Sequence, residues 1–230
     1  MKVGIVRFPG SNCDRDVQFS LKKLSIDTIF LWHSDSDISP SIDLVIIPGG
    51  FSWGDYLRCG ALAARAPIMK AVKKFHASGG YVIGICNGFQ ILCESGLLPG
   101  ALRINISKKF ICRNIKLLPN PESSPMLSLL KKSPVTYPIA HHEGNYYLPQ
   151  DQLKELSTKG QIAFKYCDES GDDNSEANPN GSVMNIAGIV SEDARILGLM
   201  PHPERAMDEL CGMVDGNQFW ESVINSLIKK

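Results

Sequence analysis

The first hundred residues repeat one pattern, and it restricts the fold more than any other feature of the chain. A short apolar run is followed by a turn and then by a stretch with helical periodicity. Val3-Gly4-Ile5-Val6-Arg7-Phe8 reads as a strand, followed by a Pro9-Gly10-Ser11-Asn12 loop and a helix whose apolar stripe is Val17, Leu21 and Leu24. Ile26 to Trp32 and Leu44 to Ile47 are further strands, the second a continuous apolar run of the kind buried on both faces of a sheet. A helical stretch follows over Leu57 to His76, broken before Pro67, then the strand Tyr81 to Ile85 and a helix from Asn87 to Glu94. Strands that alternate with helices pair in parallel, because each crossover returns the chain to the same end of the sheet. The expected fold class is therefore α/β: an open, doubly wound, mostly parallel sheet with helices on both faces.

From about Phe110 to Met200 the pattern changes to short strand-like runs: Phe110 to Cys112, Val135 to Ala140, Ile162 to Tyr166, Met184 to Ile189 and Ile196 to Leu199. These predict an antiparallel extension of the same sheet. Asp168 to Ser182 holds five acids and one aliphatic side chain, Ala177, and is expected to be a solvated hairpin loop. Phe219, Trp220, Val223, Ile224, Leu227 and Ile228 form a helical stripe with Asp215 or Asn217 as cap, and this helix should pack on the sheet. A length of 230 residues suits one domain over 1–230, since such folds often run to about 200–250 residues.

Charge and cysteine usage exclude several functions. Twenty-four Lys and Arg balance 24 Asp and Glu, whereas nucleic-acid binders usually carry a clustered basic excess, so no nucleic-acid partner is expected. No run of about 18 apolar residues exists, so no membrane span is expected. The first strand begins at once, leaving no room for a signal peptide, and a cytosolic, cytoplasmic location follows. The seven cysteines include no C-x-x-C pair, so in a reducing compartment most read as buried small hydrophobes.

Three short segments can carry chemistry. Gly84-Ile85-Cys86-Asn87-Gly88, between a buried strand and a helix, has the shape of a nucleophile elbow. There glycine fits the sharp turn, and a helix N-terminus favours the thiolate. Pro201-His202-Pro203-Glu204 holds His202 extended before proline, and residues i and i+2 of an extended chain share a side. Glu204 can therefore orient the His202 ring as base for an activated thiol. Pro48-Gly49-Gly50-Phe51-Ser52-Trp53-Gly54-Asp55 ends another buried strand, and amides freed by a Gly-Gly turn can receive an oxyanion. No phosphate-loop pattern fits the chain. Each segment alone also has an ordinary structural reading, as a buried cysteine, a loop histidine or a plain strand-to-helix turn.

Together the segments resemble a known family. Gly84 to Gln90 and Pro201 to Arg205 are similar to the signatures of class I, or triad-type, glutamine amidotransferases. Within that class, the segments Pro48 to Arg58, Ala140 to Tyr146, Asn178 to Ser182 and Asn185 to Gly188 resemble the glutaminase subunits of phosphoribosylformylglycinamidine synthase, of purine biosynthesis. The resemblance runs from end to end, and His142 departs from it where a small residue is expected. It implies that Cys86 attacks the glutamine side-chain amide, that His202 and Glu204 complete the triad, and that the backbone amides of Gly50 or Phe51 and of Asn87 form the oxyanion hole. Gln90, one helical turn after Cys86, would contact glutamine. It also implies L-glutamine as substrate, no cofactor in this chain, and ATP and Mg used by a separate synthetase subunit, with a small third subunit completing the complex.

The remaining polar residues carry less. His141 and His142 are adjacent and should point to opposite sides, so no metal site is expected there. Cys13 sits at another strand end, but no second His-x-Glu serves it. Cys59, Cys93, Cys112, Cys167 and Cys211 read as structural, and Phe51, Trp53 and Tyr56 as an aromatic cluster. Two other functions stay open on the sequence: a free-standing Cys-His-Glu hydrolase such as a γ-glutamyl hydrolase, and a non-catalytic module that keeps the fold.

Overall fold

The computed structural model describes residues 1–228. The first unit runs β1 (Lys2–Arg7), α1 (Asp14–Lys23), β2 (Asp27–Trp32), β3 (Leu44–Ile47), α2 (Pro67–Ala77), β4 (Tyr81–Ile85) and α3 (Asn87–Glu94). The second runs β5 (Ala101–Arg103), β6 (Ile111–Pro119), β7 (Val135–His141), β8 (Asn145–Tyr147), α4 (Gln150–Thr158), β9 (Ile162–Cys167), β10 (Ile186–Val190), β11 (Ile196–Leu199) and α5 (Gly216–Ile228). Nine strands form one sheet in the order β2-β1-β3-β4-β11-β10-β9-β6-β7, and β5 pairs with β8 apart from it. The pairs β2/β1, β1/β3, β3/β4 and β4/β11 are parallel. The pairs β11/β10, β10/β9, β9/β6 and β6/β7 are antiparallel. The parallel half and its antiparallel extension are thus as the sequence predicts, except that β11, expected in the extension, also pairs in parallel with β4 and completes the parallel half.

Every residue of β3 and β4 is buried, which is why both read as unbroken apolar runs. The crossover from β1 goes outward to β2, and the next returns past β1 to β3. The loops after β1 and β3 therefore diverge, and this switch point opens a crevice at the carboxyl ends of the strands. At the far end, Phe219 of α5 packs its ring 6.3 Å from Phe164 and 6.5 Å from Tyr137, tying the last helix to the antiparallel half. Asp215, immediately before α5, accepts the Thr136 amide of β7 at 2.7 Å, and Asn217 lies inside the helix. No described helix is long and apolar enough to cross a membrane.

Several local expectations change. Residues 57–66 are not a regular helix: Leu57 and Gly60 take positive φ, and only Ala63–Arg65 make a short 3-10 turn. Ala66 is extended as a residue before proline should be, and α2 starts with Pro67 in its first turn. The run at Phe110 grows into the long strand β6, while α4 buries only Leu153 and Leu156 and left too thin a stripe to read. The Asp168–Ser182 connection does join antiparallel neighbours, but its second part is not solvated. Asn180 is fully buried, its amide donating to the Gly144 carbonyl at 2.8 Å and the Tyr166 hydroxyl at 3.0 Å. Cys112 is exposed rather than buried, and the side chain of Cys211 lies outside the described residues.

Candidate active site

Four parallel strand ends converge on one site. After β4 the chain turns at Cys86 with φ 52° and ψ −105°, a backbone conformation rare for a side chain with a Cβ. The flanking glycines are steric requirements. A Cβ on Gly84 would lie 2.6 Å from the Gly88 carbonyl oxygen, and one on Gly88 would overlap the Ile47 carbonyl of β3. The elbow thus brings the backbones of β3, β4 and α3 into direct contact. The Cys86 amide donates to Leu199 of β11 at 2.8 Å. The thiol is 5% exposed, so it lies beneath the surrounding loops rather than standing clear of the sheet, and it points to the Ala140 carbonyl at 3.7 Å.

His202 follows β11, and its Nδ1 donates to Glu204 Oε1 at 2.6 Å, with both side chains buried. The pairing is as expected but the backbone route differs: Pro203–Arg205 form a 3-10 turn, so the carboxylate is brought round by a turn and not by extended alternation. The pair is anchored from two sides. The His202 amide donates to Pro138 of β7 at 2.9 Å, and the Glu204 carbonyl accepts Ser20 of α1 at 3.0 Å. Burial by itself would lower the imidazole pKa, but the Glu204 carboxylate and the Cys86 sulfur beside the ring overcome it and hold His202 well above its ordinary value. Among the described residues, His202 Nε2 and Glu204 Oε2 find no conventional hydrogen-bond partner. This arrangement can hold an imidazolium beside the cysteine sulfur, the charge placement that activates a cysteine nucleophile.

The turn after β3 closes the site. A Cβ on Gly49 would lie 2.8 Å from His202 Cε1 and 2.9 Å from Cys13 Sγ, so the imidazole requires glycine there. Gly50 takes φ 151° against the Ser11 backbone. The Phe51 amide donates to the Gly10 carbonyl at 2.9 Å, so one of the amides expected to receive an oxyanion is already engaged. Asn87, at the start of α3, accepts the Ser52 amide at 3.2 Å and donates to Gln90 Oε1 at 2.9 Å, linking this turn to the elbow. Gln90 in turn donates to the Glu143 carbonyl at 2.7 Å. Its amide therefore bridges α3 and the 141–144 loop.

The sequence motifs do not all meet here. Trp53 packs on Phe8 and His33, with ring centroids 5.6 and 5.2 Å apart, while Phe51 and Tyr56 are exposed, so the three aromatic residues form no cluster. His141 and His142 point apart as expected. His141 is buried with Nδ1 3.2 Å from Asn105 Oδ1, and burial, reinforced by the charge of His202, pushes its pKa down to about 4. Cys13, only 2% exposed, belongs to the site more closely than its place in the sequence suggested. Its thiol donates to Asn12 Oδ1 at 3.1 Å, and Arg205 donates to the sulfur at 3.0 Å. Asn105, in no motif, and Asn180, inside the Asn178 to Ser182 segment, brace the 141–144 loop.

Residues 1–225 match the family described as the CobB/CobQ-like glutamine amidotransferase domain, and the chain belongs to that family. It is 48% identical over 227 residues to the phosphoribosylformylglycinamidine synthase subunit PurQ of Pelagibacter ubique, covering 99% of this chain and all of that one. Identity to the same subunit from Aquifex aeolicus is also 48%, over 98% of this chain and all of the relative. Within the family, then, its place is among the PurQ subunits of phosphoribosylformylglycinamidine synthase. Among solved structures it resembles a chain of PurLQS from Thermotoga maritima, with a TM-score of 0.86, 38% identity and 98% of each chain covered. A glutamine amidotransferase from Thermotoga maritima, 15% identical with a TM-score of 0.58 over all of this chain and 96% of that one, shares the fold.

Proposed function

We propose that this chain is the glutaminase subunit of a phosphoribosylformylglycinamidine synthase, hydrolysing L-glutamine with Cys86, His202 and Glu204 and passing ammonia to an ATP-dependent synthetase. The observation that carries the catalytic assignment is the fully enclosed His202–Glu204 pair beside the strained Cys86 elbow. The sulfur of Cys86 attacks the side-chain amide carbon, and the carbonyl electrons move to oxygen. His202 gives its proton to the nitrogen as the carbon–nitrogen bond breaks, releasing ammonia and leaving a γ-glutamyl thioester. The now neutral imidazole takes a proton from water, whose oxygen attacks the thioester. Glutamate leaves, and the thiolate and imidazolium are restored. Glu204 holds Nδ1 throughout, fixing the ring and stabilising its charge. The Asn87 amide at the start of α3 and the Gly50–Phe51 turn would stabilise the oxyanion.

The partner reading rests on the relatives. The likeness to a chain of PurLQS supports a synthetase and a small third subunit, the synthetase being the component that uses ATP and Mg. In the assembled complex Cys86→Ala should abolish synthesis from glutamine and leave synthesis from added ammonium intact. Retained glutaminase activity in that variant would overturn the nucleophile assignment. Steady, partner-independent turnover of γ-glutamyl peptides by the isolated chain would instead favour the free-standing hydrolase.

A further inference from the structure

The chain is neutral overall, yet its charge is unevenly spread. Between Gly96 and Glu122 it carries Arg103, Lys108, Lys109, Arg113 and Lys116 and no acid. Lys116 pairs with Glu169, whereas the other four cations have no acidic partner among the described residues. The same segment shows apolar side chains to solvent: Ile104 and Phe110 are each 50% exposed and Ile106 is 75% exposed. Ile104 and Ile106 line one cavity of about 420 Å3 together with Arg103, Lys108 and His142. Single exposed apolar residues are ordinary, but apolar side chains gathered around a cavity and rimmed by unpaired charge mark a surface that another molecule covers.

This surface is tied to the active site through one side chain. Asn105, between the two isoleucines, is 1% exposed. Its Nδ2 donates to the Lys109 and His141 carbonyls, both at 2.9 Å, and its Oδ1 accepts the Gly144 amide at 3.0 Å. Its own amide donates to the His142 carbonyl at 2.9 Å, and the Ile106 amide donates to the Asn180 carbonyl at 3.0 Å. At the start of the same loop the Ala140 carbonyl faces the Cys86 sulfur, and further on the Glu143 carbonyl holds Gln90. The exposed segment 103–110 and the loop beside Cys86 are therefore two sides of one hydrogen-bonded unit. We infer that segment 103–110 is a docking surface for the synthetase subunit, which presents to it an acidic surface with apolar side chains that fill the cavity.

That choice of occupant rests on the synthetase reading above. Ammonia freed at Cys86 is lost to solvent unless the subunit that uses it covers the elements around the nucleophile, and segment 103–110 is bonded directly to one of them. Burying Ile104, Ile106 and Phe110 supplies the apolar centre of such a contact, and the four unpaired cations supply its rim. Carboxylates of the partner meet cations that have no acid in their own chain, which adds orientation and association rate more than affinity. The segment loses little freedom on docking, because Asn105 and Asn180 already hold its backbone. A second copy of this chain fits less well, since a twofold contact sets the same patch against itself and brings the four cations together.

The test uses the full chain with the synthetase and the small third subunit, with glutamine, ATP and Mg2+ present and association read by sedimentation velocity. Lys108→Glu combined with Lys109→Glu, and separately Ile106→Asp, should each weaken binding to the synthetase at least about tenfold. Lys131→Glu combined with Lys132→Glu makes the same charge change at the opposite end of the β6–β7 hairpin and should leave binding unchanged. Added salt should weaken the wild type more steeply than the Lys108 and Lys109 variant. All these side chains are exposed, so circular dichroism and Tm should match the wild type in every variant. Equal affinities for wild type and both docking variants would overturn the surface and leave the triad and the synthetase reading standing. Loss of the third subunit alone, or of self-association alone, with the synthetase bound as tightly as before, would overturn it by giving the surface to another occupant. If the wild type itself does not bind the synthetase, the partner reading fails and the docking surface falls with it.

Discussion

Acid should destabilise this protein through one buried imidazole. His141 is 3% exposed, shares Nδ1 with Asn105, and finds no partner for Nε2 among the described residues, so its charged form is poorly accommodated in the folded state. Burial first, and then the neighbouring charge of His202, brings its pKa down to about 4, against about 6.5 when unfolded. Between those values the unfolded chain binds the proton and the folded one does not. The stability His141 confers is therefore complete above about pH 6.5 and is lost as pH falls toward 4, reaching about 3 kcal/mol in total and about 2 kcal/mol by pH 5. That is a large part of the roughly 5–15 kcal/mol by which domains are usually stable. His202 acts in the opposite sense: its raised pKa contributes stability that is fully present below about 6.5 and is lost as pH rises through the folded value. The wild-type profile mixes the two, so the measurement is a comparison. Urea unfolding of wild type and His141→Gln at about pH 7.5 and about pH 5 should show a loss on acidification about 2 kcal/mol greater in the wild type. Parallel losses in the two proteins would show that His141 titrates as in the unfolded chain, and the argument from burial would fail.

Three further substitutions probe how the site is built. Gly88→Ala drives a Cβ into the Ile47 carbonyl, so backbone must move and stability should drop by about 3 kcal/mol or more, read as a fall in Tm. Glu204→Gln should lower glutaminase kcat on the order of 1000-fold, while circular dichroism stays unchanged and the His202 titration moves to lower pH. Asn180→Ala removes bonds to the Gly144 carbonyl and the Tyr166 hydroxyl, and a cost of about 2 kcal/mol should appear in chemical denaturation.

The sequence displays some of these features and hides others for physical reasons. Strands β3 and β4 are legible because burial on both faces leaves no polar residue to interrupt the run. The elbow and the His-x-Glu pair are legible because each is a local backbone device that restricts residue types at neighbouring positions. Residues 57–66 mislead because their helical periodicity is overridden by positive φ at Leu57 and Gly60, where Gly60 packs against the backbone of Gln90 and Ile91. Asn180 misleads in the other direction. A Gly- and Asn-rich run signals solvent, but here one asparagine satisfies a buried carbonyl 36 residues away, and nothing local in the sequence marks such a partner. Cys13 is visible only as a strand-end residue, since its importance depends on Arg205, 192 residues further on.

The two sides of the site are held by different kinds of force. Cys86 and His202 are fixed by close approaches that allow no side chain at Gly49, Gly84 or Gly88, and moving them means moving strands. The Gly50–Trp53 turn is held to the loop after β1 by backbone hydrogen bonds, from the Phe51 amide to Gly10 at 2.9 Å and from the Trp53 amide to Pro9 at 2.7 Å. A neutral hydrogen bond contributes about 1 kcal/mol net, whereas one to a charged acceptor contributes about 1.5–3 kcal/mol. On the mechanism proposed above, the Gly10 carbonyl would keep the Phe51 amide while the site holds a neutral amide and would give it up to an oxyanion within reach. A donor exchanged in this way stabilises the tetrahedral intermediate without binding glutamine more tightly, which is the condition for raising kcat rather than merely lowering KM. The same loop carries Cys13 against His202, so both the packing on the imidazole and the bonding of the turn amides depend on where residues 9–13 sit.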